Sequence, residues 1–122
     1  MTEEVRISPD ATHIVVTSTG APSLAEMQQT LATIAQLRAE HGVDKVLVDS
    51  RARSGQPSVS EIYRGGELLA DALGTSARIA VLVGRLERDH TFFENVAVNR
   101  GAVIAYFQSE ELALRWLSEN AS

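Results

Sequence analysis

Short apolar segments alternate strictly with capped helical segments along most of the chain. Val46-Leu47-Val48, Ile79 to Val83 and Val103 to Phe107 are each apolar at consecutive positions. Such runs mark strands of a sheet covered on both faces, because a sheet with one wet face alternates polar and apolar residues. The segments between them follow the helical period. Leu24, Met27, Leu31, Ile34 and Leu37 or Arg38 fall on one face, with Ser23 and Glu26 spaced as a capping box and His41-Gly42 as the stop. Ser58 and Glu61 repeat the box ahead of Val59, Ile62, Tyr63, Gly66, Leu69, Ala70 and Leu73, and Gly74 ends that stripe. Thr91 and Glu94 offer a third box, with Phe92, Phe93, Val96 and Ala97 inside the helix it opens and Gly101 beyond it. Ser109 caps a last helix from Glu110 to about Glu119, with Leu112, Ala113, Trp116 and Leu117 on one face.

Two further strands precede this pattern. Glu4 to Ser8 and His13 to Ser18 flank the turn signal Ser8-Pro9-Asp10-Ala11, so they form an antiparallel hairpin. The order is β-β-α-β-α-β-α-β-α. Alternation of this kind requires parallel strands joined by right-handed crossovers. The expectation is an α/β fold, a five-stranded mixed sheet with only the first strand antiparallel, and four helices. At 122 residues, with 44% apolar and 22% charged residues, the chain suits one domain over 1–122.

The same stretches resemble the SpoIIAA-like family, related to STAS domains and to the SEC14 (CRAL-TRIO) lipid-binding fold. The resemblance rests on Lys45 to Arg51, a strand ending in Asp49; on Ile62-Tyr63; and on Arg78 to Val83. It continues through Phe92-Phe93-Glu94-Asn95, Asn99-Arg100-Gly101, Tyr106-Phe107 and Glu111 to Leu117. It covers nearly the whole chain and implies sequential strand order. Regulatory STAS members carry a phosphorylated Ser in an Asp-Ser-Ser-Gly motif at the start of the helix after the third strand. Here Gly55-Gln56-Pro57-Ser58-Val59-Ser60 stands there, and the motif's acidic residue and Gly are absent. SEC14-type carriers are longer and add gating helices that this chain lacks.

Several chemistries are unsupported. The chain has no Cys, and none of His13, His41 and His90 is spaced from another for a helical metal site. No phosphate-binding glycine loop or nucleophile elbow is present, so neither a cofactor nor a metal is implied. The net charge of −5 gives no bulk attraction for nucleic acid, and no apolar run is long enough for a membrane span. The N-terminal Met-Thr-Glu-Glu resembles no targeting segment, so a cytoplasmic location is expected.

The positive site candidates are arginines. The chain has one Lys and ten Arg. Arg51 and Arg53 follow the third strand, and Arg85 and Arg88 follow the fourth. Ligands of open parallel sheets bind outside the carboxyl ends of the strands, and guanidinium suits carboxylate and phosphate. With Ser58, these four residues form a candidate site for a protein partner or small anionic ligand. The competing arrangement is ion pairing with Asp49, Glu87 and Asp89 in the same loops. The preferred reading is therefore a non-enzymatic binding module. One alternative is a carrier of an apolar or lipid molecule, which needs an interior pocket. Another is a small hydrolase using Ser58, His90 and Asp49. Gly65-Gly66 in mid-helix implies close helix–sheet packing by Gly66, or room for a ligand or a partner helix. Leu68 and Leu114 lie off the main stripes of their helices, and a homodimer is expected from them.

Overall fold

The structure is a computed structural model that describes residues 3–119. The strands are β1 (Glu3–Ile7), β2 (Ile14–Gly20), β3 (Lys45–Arg53), β4 (Arg78–Leu82) and β5 (Val103–Phe107). The helices are α1 (Leu24–His41), α2 (Val59–Leu73), α3 (Arg88–Asn99) and α4 (Glu110–Ser118). The sheet order is β1-β2-β3-β4-β5, with β1 antiparallel to β2 and every other pair parallel. This is the α/β architecture expected from the alternation.

Sequential order also fixes the layers. Right-handed crossovers that step in one direction across a sheet deliver every crossover helix to the same face. The residues of α1, α2 and α3 accordingly share a core with Ile14, Val16, Val46, Ile79, Val81 and Ile104. The opposite face holds a smaller core, in which Ala113 and Leu117 of α4 cover Leu47, Ala80 and Leu82. Arg78 ties α4 down: its Nη2 donates to the Trp116 carbonyl at 2.7 Å, and the guanidinium sits 4.0 Å from the Trp116 ring centroid.

Ser23 and Ser58 make full capping boxes with Glu26 and Glu61, and Gly42 ends α1 at φ 64° in the left-handed region. The Thr91–Glu94 spacing is not used. α3 begins four residues earlier, with Glu87 as its N-cap, so His90 and Arg88 belong to the first turn rather than to a loop. β3 likewise runs through Arg53 into the stretch expected to be a loop, because its edge pairs onward with β2. Thr17 opposes Asp49 while Thr19 opposes Ala52, so β3 holds one extra residue there. That bulge reverses the facing of the strand residues beyond it. Arg53 pairs with Gly20 and joins the face of Ile14 and Val16, to which an unbroken alternation would not bring it.

The two mid-helix glycines pack helix against helix, not helix against sheet. A Cβ on Gly66 would lie 2.8 Å from Val96 Cγ1, and one on Gly65 would lie 3.0 Å from Phe93 Cε2 and 3.4 Å from Met27 Sδ. α2 is thus held sideways by α3 and α1. Among the described residues, no Cα of α2 comes within 8 Å of a Cα in any strand. Leu69, Ala70 and Leu73 of the helix belong to the shared core, and a space remains between the helix face and the sheet.

Candidate functional site

That space is a cavity of about 540 Å³. Its apolar wall includes Leu31, Ile34, Leu69, Val81 and Ile104, and its mouth lies among the segments that follow β3 and β4. Of the residues expected to form a site, Arg51, Arg53 and Arg85 line it, whereas Ser58 and Arg88 do not. Ser58 lies beside the mouth as the N-cap of α2, its Oγ accepting from the Glu61 N–H at 3.2 Å.

Arg51 adopts the ion-paired arrangement. Its Nε donates to Asp49 Oδ1 at 3.0 Å and its Nη2 to Asp49 Oδ2 at 2.8 Å. The Arg51 backbone N–H also donates to Asp49 Oδ1. These bonds hold the Asp49 carboxyl below its ordinary range despite partial burial. Arg53, Arg85 and Arg88 have no carboxylate within ion-pair distance among the described residues.

The Ser58–His90–Asp49 triple is not assembled. Asp49 is committed to Arg51 on both oxygens, Ser58 to the cap of α2, and His90 Nδ1 to the backbone N–H of Glu87 at 3.1 Å. A nucleophile needs its base within hydrogen-bond reach, and each member here is engaged elsewhere. Among the described residues no group of three or more His, Cys, Asp or Glu is placed to hold a metal. Among them, too, no helix is long and apolar enough to cross a membrane.

Two residues of the site were not legible as such in the sequence. Tyr106, on β5, stacks on His90 with ring centroids 5.0 Å apart and planes at 21°. Burial pushes the Tyr106 phenol well up, with the Arg53 charge opposing that shift, and burial lowers the His90 imidazole. Ser50 follows Val46 and Val48 on the cavity face of β3, and its shielded Oγ has no hydrogen-bond partner among the described residues. The signal for both was the strand alternation, once the cavity face is known. The outer surface expected around Leu68 is less open than anticipated. Leu68 packs against the core and Gly65 is buried.

This arrangement is a SpoIIAA-like fold: a five-stranded, sequentially ordered mixed sheet with three helices on one face. Two solved structures match it along nearly the full chain. One is an uncharacterised protein of the DUF3478 family from Shewanella loihica PV-4 with a SpoIIAA-like fold. Its TM-score is 0.63 at 17% identity, covering 94% of this chain and 91% of that one. The other is the anti-sigma factor antagonist SpoIIAA in its unphosphorylated form. Its TM-score is 0.59 at 14% identity, covering 97% and 99% of the two chains. No protein-family model matches the chain, and no curated protein matches it.

Proposed function

We propose that this protein is a non-catalytic binding module that takes a small, largely apolar molecule into the chamber beneath α2, with the segments after β3 and β4 as its mouth. The observation that carries this reading is the chamber itself. Roughly 300–1,000 Å³, apolar walls and a few polar groups at one end describe small-molecule sites in general, and about 540 Å³ falls within that range. The reading joins the expected loop site to the carrier alternative, since the arginines at the mouth and the apolar interior belong to one space. Aminoanthracene, a neutral apolar fluorophore, tests it. A saturable rise in fluorescence, reversed by an unlabelled apolar competitor, is expected. Fluorescence no greater than in buffer, together with a bare protein mass in native mass spectrometry, overturns it.

A protein partner at the same rim is the second reading. It is favoured by the exposed Val59, the first residue of α2, and Leu86, in the segment after β4, 69% and 52% accessible, and by the fold shared with an anti-sigma factor antagonist. Replacing both by Ser would remove such a partner while leaving aminoanthracene bound.

A further inference from the structure

Four side chains around the mouth share one chemical property. Each can donate a hydrogen bond, and none donates to an acceptor among the described residues. Ser50 Oγ is shielded from water with no partner. Arg53 has no carboxylate within reach, and its positive charge acts on both His90 and Tyr106. A backbone N–H can only donate, so His90 Nδ1 accepts from Glu87 and the neutral ring carries its proton on Nε2. The Tyr106 hydroxyl, on the ring stacked against His90, stays protonated. Beside Ser50, on the same face of neighbouring β2, Ser18 is fully buried and its Oγ also lacks a partner. Buried polar groups are nearly always hydrogen-bonded, so the unpartnered Ser50 Oγ, in a cavity that the exposed Arg53 and the stacked His90 and Tyr106 also line, calls for an acceptor there.

Donors without acceptors are complemented by a group that only accepts, and an ionised carboxylate is such a group. Glu3, Glu61, Glu87 and Asp89 line the cavity against Arg53 and Arg85, which are unpaired among the described residues, so a single negative charge is favoured only beside those arginines. Arg51 is neutralised by Asp49, and Glu61 is tied to the Ser58 N–H at 3.0 Å. Glu87 and Asp89 act on His90 from its own helix, while Arg53 acts on it from β3. The head group therefore belongs on the Arg53 side, against Ser50 and Tyr106. Resting on the cavity reading, we propose that the ligand is an amphiphilic monocarboxylic acid. Ser50, Arg53, His90 and Tyr106 donate to its carboxylate, and the chain lies in the apolar chamber beneath α2.

Competition against bound aminoanthracene tests this with three probes of equal chain length: dodecanoate, dodecanol and dodecyl phosphate, all below their micelle concentrations. Dodecanoate is expected to displace the fluorophore about tenfold more tightly than dodecanol, the scale of one hydrogen bond to a charged group. Arg53→Gln should remove most of that preference, and Ser50→Ala and Tyr106→Phe part of it, through a loss of dodecanoate affinity larger than any loss of dodecanol affinity. Tyr106→Phe keeps the ring stacked on His90, so it reads the hydroxyl even if another variant folds poorly. Equal affinity for dodecanoate and dodecanol, or a preference that survives all three substitutions, overturns the head-group assignment while leaving the cavity reading intact. Tighter binding of dodecyl phosphate overturns the carboxylate. Failure of every probe to bind or displace overturns the cavity reading, and this inference with it.

Discussion

Gly65 and Gly66 are adjacent and chemically identical, yet their replacement by Ala should have opposite consequences. An interior helical Gly costs about 0.5–1 kcal/mol relative to Ala, so either change gains that much from backbone entropy. The Gly66 methyl, however, would meet Val96 Cγ1 at 2.8 Å, Val96 Cβ at 3.0 Å and the Ala97 backbone nitrogen at 3.4 Å. Val96 is β-branched, and no rotamer moves its Cβ. α2 and α3 must therefore separate by a large fraction of an ångström, and overpacking of that kind costs about 1–3 kcal/mol. The net loss for Gly66→Ala is about 1–2 kcal/mol, or roughly 4 °C in Tm per kcal/mol for a domain of this length. The Gly65 methyl meets only the edge of the Phe93 ring at 3.0 Å and the Met27 thioether at 3.4 Å. Both are long side chains with cavity space beside them, so Gly65→Ala should leave Tm unchanged or raise it by a few degrees. Thermal and urea unfolding of the two variants, checked for matching m-values, measure the difference. Equal effects, or a Gly66→Ala protein as stable as the parent, would refute the suspension of α2 on α3.

Local geometry sets the other expectations. Ser58→Ala removes the acceptor for the Glu61 N–H and should cost about 1 kcal/mol, whereas Ser58→Asp, an equally good cap, should unfold like the parent. Asp10 is held at about 2, against 3.8, first by the Ser8 hydroxyl and then by Thr12. Its contribution is complete above its unfolded value and is lost as pH falls from about 4 to about 2, which carboxyl NMR titration would follow. Burial lowers His13 and His90 below 6.5, so the unfolded state takes up protons first and stability falls as pH drops through 6.5. An imidazole titrating above 6.5 in either would contradict this. Arg51→Gln should leave stability little changed, as exposed ion pairs contribute little, and should move the Asp49 carboxyl back toward its ordinary value. Self-association now falls to α4, where Leu112 and Leu114 are 51% and 37% exposed. A monomeric mass by sedimentation at micromolar concentration would remove that expectation.

The element order, the sheet topology and three of the four helix caps were legible because each rests on local chemistry. Apolar runs, capping boxes and turn residues state their structure within a few positions. The exceptions have local causes too. The start of α3 was obscured because Glu87 is a poor-looking cap, and its His90 partner uses a ring nitrogen in place of a carboxylate. The reach of β3 to Arg53 depends on a bulge, which only the pairing with β2 defines. The site was half legible. Arg51, Arg53 and Arg85 could be placed near the carboxyl ends of β3 and β4 by topology alone, but whether Arg51 was free or paired depended on its side-chain geometry. Ser50 and Tyr106 looked like ordinary strand residues, since nothing local distinguishes a side chain facing a core from one facing a cavity. The cavity itself arises from the distance between α2 and the sheet, set by Gly65, Gly66 and their partners on α1 and α3.

The central claim is that the space beneath α2 receives a ligand. Methyl NMR of the aminoanthracene complex tests it most directly. The account predicts intermolecular Overhauser contacts from the fluorophore to Leu31, Leu69, Val81 and Ile104, which line the chamber, and none to Leu47, Leu82 or Leu117 across the sheet. Contacts confined to Val59 and Leu86 at the surface, or to the α4 face, would contradict it.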